Sequence, residues 1–558
     1  MTTIIAEMLN SKVLVPLTTK TGFISRMFLV PKGNGSLRPI FNLQRLNEYL
    51  TPKKFRLVSH FKVPSFLQRN DFLIKIDLTQ AYFHVPIKPT HQRFLAISYQ
   101  ESLYCMTCLP FGLASAPQAF ASLSNWTAGV LRDLGMRVIV YLDDFLLAHQ
   151  DPVVLESQGN QAVSTLKSLG WTINVEKSQL KPTSTLQFLG IMWNPHQDQK
   201  YLPLDKVEVI SVVLSTLLTN GRWCWQDAKS LLGYLSFASF VIPYGRLHCR
   251  AIQRKMRWLP QESPHRYFRL PVKVREEIDW WKSALSKRSE IFPNPVEVFI
   301  TTDASDSGWG VQLNDSVQGG VWMEEQSNWH INRKEMFAVQ QALEANLTQL
   351  VGASILIQSD NRTVVSYIQK QGGTKSLNLL NDVRELLLLA QSHNMTLTAQ
   401  YIPSICNTIA DNLSRQKSLP DWHLLPRVTN KIFRLWGVPE IDLFATARSA
   451  VVPNYATLDA TDQNALFTNA FSRTWSFDLA WVFPPPALIP RVLQHLNSAS
   501  GNYILIAPRW EKVFWRPDLK SRSQFPPVRL FISNDDLLDL ATGRPPPKVQ
   551  QLYLEAWK

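Results

Sequence analysis

Hydrophobic and polar positions along the chain fall into four textures, each a candidate domain. Residues 1 to about 195 mix short apolar, strand-like runs with helical stretches. From about 196 to 295 the spacing is mainly helical, with aromatic and basic residues interleaved. A fresh series of strands opens at Val296 and closes near Lys417. The remainder is rich in proline and tryptophan, with strands such as Tyr503–Ala507 between turn signals. No internal repeat or low-complexity linker interrupts this order.

Several of these runs end in acids. Val138-Ile-Val-Tyr-Leu-Asp-Asp-Phe-Leu-Leu147 reads as a hairpin with Asp143 and Asp144 at its turn. Adjacent carboxylates bounded by buried strands repel each other and lose solvation unless a cation joins them. Taken alone, the segment is better read as an Asp-rich turn facing water. Phe72-Leu-Ile-Lys-Ile-Asp77, a second strand ending in a carboxylate, reverses that balance. Beside the hairpin it would let Asp77 and Asp143 share a metal pair, with Asp144 nearby, as phosphoryl transfer requires. Further along, Asp303 ends a strand before a glycine-permitted turn, Glu335 lies in a helical run, Asp360 ends an apolar run and Asp411 sits in a short helix opened by Asn407. Individually such acids are usually solvated or capping. Asp306-Ser-Gly lies inside the strand-turn and is not read as a protease motif.

Composition adds a partner and a compartment. With 558 residues the chain exceeds one core and fits three or four domains at roughly 150 residues each. A net charge of +14 makes nucleic acid the default partner, because lysines and arginines that displace counterions supply most non-specific affinity. Arg246, Arg250, Arg254 and Arg257 would share one face of a single helix and could track a phosphate backbone; a solvated helix surface is an equal alternative in isolation. Five cysteines without a framework spacing argue for a reducing compartment, and Cys105-x-x-Cys108, lacking a second pair, reads as two core thiols. No signal pattern and no apolar run approaching roughly 18 residues is present, so the expectation is an intracellular protein, cytoplasmic or nuclear, with no membrane partner.

Asp77 with Tyr141-Leu-Asp-Asp144 resembles the palm of a reverse transcriptase, and supporting motifs follow the family's order over residues 23–193. Phe28-Leu-Val-Pro-Lys32 and Leu37-Arg38-Pro-Ile resemble the fingers, Leu109-Pro-Phe111-Gly through Phe120 the segment beneath the nascent base pair, and Gly170-Trp…Glu176-Lys177 with Phe188-Leu-Gly-Ile191 the last palm motifs. The resemblance implies nucleotide contacts from Lys32, Arg38, Tyr82, Phe111, Tyr141 and Lys177, with Tyr82 as an aromatic gate against a ribose 2′-hydroxyl. Asn42 and Gln44 depart from the acid and arginine that many relatives carry, which puts local ion pairing in the fingers in doubt. After a palm, the arginine face becomes a candidate duplex contact.

Asp303, Glu335, Asp360 and Asp411, with the ending Ala410-Asp-Asn-Leu-Ser-Arg415, resemble the acidic set of ribonuclease H in retroelements. No histidine stands in the loop before Asn407, where some relatives use one in product release, which implies slower turnover. Glu440-Ile-Asp442-Leu-Phe-Ala-Thr446 and Val482-Phe-Pro-Pro-Pro486 resemble the domain after ribonuclease H in DIRS-like retrotransposons, a domain compared with DNA adenine methyltransferases. Phe483 and Pro486 stand where that catalytic turn needs a polar residue and an aromatic, so methyl transfer is not expected.

The implied fold class is α/β and α+β multidomain. It comprises right-hand polymerase fingers and palm (1–195), a thumb or connection (196–295), a ribonuclease H fold (296–417) and a C-terminal α/β domain resembling a degenerate methyltransferase (418–558). The implied activities are RNA- and DNA-directed DNA synthesis and hybrid-specific RNA cleavage, with Mg²⁺, or Mn²⁺, as two ions at each acid set. Expected partners are RNA template, DNA primer, RNA–DNA hybrid and deoxynucleoside triphosphates. No integrase-type His/Cys cluster or tyrosine-recombinase set is recognised, so a separate recombinase or integrase is expected. A copy that binds nucleic acid without catalysis is the alternative; presence of all seven acids favours the enzyme.

Overall fold

The strand ending in Asp77 is buried in the middle of a four-stranded sheet. Strand β1 (Phe72–Asp77) pairs antiparallel with β3 (Asp144–His149) on one side and β4 (Gln179–Thr183) on the other, and β2 (Val138–Tyr141) completes the order β2-β3-β1-β4. Leu73, Ile74 and Ile76 on β1, and Phe145 through Ala148 on β3, are all buried. Both faces are therefore covered, which is why these runs are apolar without strict alternation. Helix α1 (Ala116–Asp133) packs against β2, and α2 (Pro152–Ser168) against β1, β3 and β4. Asp151 caps α2, accepting the amides of Val153 and Val154. Gly159 allows the close approach: a Cβ there would stand 2.7 Å from Ile74 Cδ1.

The structure, a computed structural model, describes residues 2–17, 22–31, 37–314, 316–415, 421–459, 462–510, 513–540, 543–546, 549 and 552–558. It divides into two units, Met1–Gly245 with Leu259–Pro293, and Arg246–Trp258 with Asn294–Lys558. The first holds the central sheet, a five-stranded mixed sheet built from Leu14–Pro16, Ser102–Met106, Ala96–Tyr99, Ile24–Pro31 and Leu37–Asn42, and later helices such as Leu204–Asn220 and Trp225–Ala238. Within the stretch 196–293, Arg246–Trp258 falls in the second unit and the remainder in the first.

In the second unit β5 (Val298–Ala304) is central to a sheet of order β7-β6-β5-β8-β9, where β6 is Gly308–Leu313, β7 Ser316–Val321, β8 Ser354–Ser359 and β9 Thr396–Tyr401. Strands β5, β6 and β7 are antiparallel neighbours, whereas β8 and β9 run parallel to β5. A further sheet follows, of order β10-β11-β12-β14-β13, from Ile441–Asp442, Ser476–Val482, Ser500–Pro508, Leu554–Trp557 and Val528–Leu530 in that order; its first three strands are parallel. Buried Trp475 and Trp481 account for part of the tryptophan richness there. No helix among the described residues is long and apolar enough to cross a membrane.

Candidate active sites

The β2–β3 hairpin turns through Leu142 and Asp143, while Asp144 opens β3 opposite Tyr141 and, on β1, Asp77. Asp144 is therefore a ladder residue and not part of the turn that the sequence pattern assigns it to. Leu142 takes the tight turn instead, at φ +52°. Directly opposed strand residues hold their Cβ atoms roughly 4.5–5.5 Å apart, so two carboxylates face each other with Asp143 adjoining. Asp77 is 7% exposed. Burial first, then the charge of Asp144, pushes its carboxyl up to about 6, with Lys177 opposing and Asp143 adding. Asp143 is also raised, chiefly by burial and also by Asp144, against its backbone hydrogen bond, Lys177 and Lys75. Lys75 lies two residues before Asp77 and brings Nζ to 2.9 Å from Asp144 Oδ1. Ser178 Oγ accepts the Asp77 amide at 3.0 Å. Beside the cluster a cleft of about 940 Å³ is lined by Lys75, Tyr141, Asp144, Lys177, Gly190 and Lys206, among others.

The second unit holds another cluster. Asp303 on β5, Glu335 on α4 (Ile331–Glu344) and Asp360, directly after β8, bring ligand atoms within 4.8 Å of one another. Asp303 is held on both oxygens: Asn407 donates to Oδ1 at 3.2 Å and Ser414 to Oδ2 at 2.7 Å. Burial outweighs the Ser414 bond, and with Asp360 and Asp411 it pushes Asp303 up to about 7. Glu335 is pushed further, to about 9, by burial first and then by Asp303 and Asp360. Its Oε2 is buried without a hydrogen-bond partner among the described residues. An unmatched buried carboxylate oxygen facing two more carboxylates is what a divalent cation satisfies, so these residues fit a metal ion. Asp411, on α5 (Thr408–Ser414), is not among those three; its Oδ1 accepts Arg415 Nε at 2.8 Å.

The family whose description is "Reverse transcriptase (RNA-dependent DNA polymerase)" matches residues 30–193, the segment carrying the first cluster. Residues 30–193 form a reverse transcriptase domain. Within curated relatives, the chain is 28% identical over 173 residues to Protein P of Duck hepatitis B virus (isolate Shanghai/DHBVQCA34), covering 31% of this chain and 21% of that protein. It is 23% identical over 414 residues to the putative enzymatic polyprotein of Cassava vein mosaic virus, covering 71% of this chain and 61% of that one. Among solved structures, a foamy viral protease-reverse transcriptase in complex with double-stranded DNA overlaps with a TM-score of 0.48 at 15% identity, covering 72% of this chain and 69% of that chain.

In the reverse transcriptase domain Tyr82 lies in a 3₁₀ turn, Ala81–His84, with its ring 4.9 Å from Phe120 and 5.1 Å from Phe111. Burial first, then Asp143 and Tyr141, raises its phenol, so Tyr82, Phe111, Tyr141 and Asp143 form one neighbourhood. Lys177 is exposed at its edge. Lys32 lies outside the described residues, and Arg38 is in the strand Leu37–Asn42. Asn42 Oδ1 accepts the Gln44 amide at 3.3 Å, a local turn bond between the two residues. Sequence reasoning overlooked Lys75, Ser178 and Asn47. Asn47 clamps the loop of the Pro-Phe-Gly motif, donating to Gly112 O at 2.9 Å and accepting from Ala114 N at 2.8 Å. Lys75 alone left a signal, a charge inside an apolar strand two places from the acid.

The arginine segment is not one helix. Leu247–Cys249 is a 3₁₀ turn, His248 has non-helical torsions, and only Arg250–Met256 is α-helical, as α3. Three of its guanidiniums reach backbone carbonyls: Arg250 those of Lys370 and Gln371, Arg254 and Arg257 that of Thr374. The expected continuous basic face is therefore broken, with three members engaged by the chain's own loop. Arg246 precedes the turn. In the C-terminal sheet Phe483 follows β11 directly and Pro486 begins a 3₁₀ turn. Asp442, at the end of β10, caps the amides of Phe444 and Val451, and burial raises its carboxyl to about 7.

Proposed function

We propose that the chain is an RNA- and DNA-directed DNA polymerase whose second unit cleaves RNA in RNA–DNA hybrids, within a retroelement of the DIRS-like type. One observation carries the reading: Asp77 and Asp144 face each other in register, Asp143 adjoins them, and all lie in the matched family segment. Asp77, Asp143 and Asp144 would hold divalent ions in the first cluster, and Asp303, Glu335, Asp360 and Asp411 in the second. Bound Mg²⁺ would supply Lewis-acid stabilisation of attacking and leaving oxygens in both reactions.

The chain's own groups do the rest. Tyr82, packed on Phe120 and Phe111, presents a wall beside Asp143 that disfavours a 2′-hydroxyl. Lys177, beside both Asp77 and Asp143, and Lys75, beside Asp143, offset part of the mutual repulsion of the acids, which burial still leaves raised overall. Ser414 and Asn407 fix the orientation of Asp303. The parallel strands β5 and β8 deliver Asp303 and Asp360 to one end of their sheet, and α4 adds Glu335. This topology supports a ribonuclease H fold.

Primer extension on an RNA template with Mg²⁺ is the test, with Asp143→Asn beside the unsubstituted chain. The substitution should abolish incorporation, and Asp360→Asn should abolish hybrid cleavage while sparing synthesis. Equal incorporation with and without Asp143→Asn would leave a nucleic-acid-binding remnant instead.

A further inference from the structure

The Ala-Asp-Asn-Leu-Ser-Arg segment ends in Arg415, a residue that the proposed chemistry does not use. Ser414 donates to Asp303 and to the Asp411 carbonyl. Arg415 pairs with Asp411 across one helical turn, Nε to Oδ1 at 2.8 Å, with side chains 50% and 32% exposed. The three acids within 4.8 Å of one another are Asp303, Glu335 and Asp360, and Asp411 is outside that set. A carboxylate beside a site that fits a divalent ion is thus already engaged by a cation of its own helix.

We propose that Arg415 is a positioning residue acting as a resident counter-ion, which holds Asp411 out of the three-acid cluster and which a divalent ion must displace to recruit Asp411. The inference rests on the nuclease reading above. The guanidinium and a metal ion compete for the same carboxylate, and the positive charge also opposes the approach of a second cation. Removing that charge should tighten divalent-ion binding and free Asp411 to join the cluster. Because the pair is half exposed, the gain is small, roughly twofold to fivefold. It should also shrink as salt screens the pair.

Mn²⁺ binding to the full chain, measured by calorimetry and electron paramagnetic resonance, tests this directly. All chains carry Asp77→Asn and Asp143→Asn to silence the first cluster, and melting curves establish that each is folded; Arg415→Met replaces Arg415→Gln if the latter is not. Arg415→Gln should lower the Mn²⁺ Kd by that factor, with Arg415→Lys restoring the original value and added KCl narrowing the difference. In hybrid cleavage the half-saturating Mg²⁺ should fall while kcat at saturating Mg²⁺ stays near the original value. Unchanged or weaker Mn²⁺ binding in Arg415→Gln overturns the counter-ion role. Mn²⁺ binding that Asp360→Asn leaves intact overturns the nuclease site itself, so the two failures are distinguishable.

Discussion

Two buried acids show how surroundings decide a carboxylate's role. Asp71, fully buried, accepts from Arg137 Nη1 and Nη2, each at 2.8 Å, and from the Gln68 amide at 2.7 Å, so its charge is matched and its role is structural. Arg137→Ala should destabilise the chain by about 3–5 kcal/mol, read from denaturant melts, because it strands a buried charge. Glu335 is the reverse case, buried beside other acids with one oxygen unmatched. Glu335→Gln should raise the melting temperature in chelator at pH 8 while abolishing hybrid cleavage, the trade expected where function demands a destabilised site. A lower melting temperature would mean that Glu335 is matched in solution.

At the scale of elements, helix α5 presses on β6 through a missing side chain. A Cβ on Gly310 would fall 2.2 Å from Ala410 O, so Gly310→Ala must displace the helix that carries Asp411 and Ser414. The expected result is destabilisation of about 1–3 kcal/mol and loss of hybrid cleavage, with primer extension unchanged. Loss of both activities would show that the helix is not local to one site. The sequence exposed such elements unevenly. The strands that deliver Asp77, Asp303 and Asp360 were legible because their apolar runs stop at an acid. The place of Asp144 was not, since two-residue turns and ladder starts differ by backbone torsion, here at Leu142, and not by polarity. The arginines at helical spacing hid a break at His248, where tertiary contacts with the Lys370–Thr374 loop override local periodicity.

Across the whole molecule, clustered acids make stability depend on pH. Glu335, Asp303 and Asp77 have folded values of about 9, 7 and 6, all above the ordinary carboxylate range. Between about pH 4 and those values the folded chain keeps protons that the unfolded chain has released, so stability falls as pH rises. In chelator the melting temperature should decline from pH 5 to pH 9, and less steeply with Glu335→Gln. Mg²⁺ should flatten the decline by stabilising the ionised clusters. A melting temperature that climbs over this range with no effect of Glu335→Gln would contradict the assignment.

The assignment of Arg246–Trp258 to the second unit has a consequence for biosynthesis. The first unit is discontinuous in the chain, so no single cut releases both units intact, and a fragment ending at Pro293 would keep Arg250 without its acceptor at Lys370. During translation Arg250 leaves the ribosome 120 residues ahead of that acceptor. At roughly 5–20 residues per second the wait is about 6–24 s. Nascent chains carry this cationic segment without its Lys370–Thr374 carbonyl acceptors for that interval, a window in which polyanions or chaperones have first access to it.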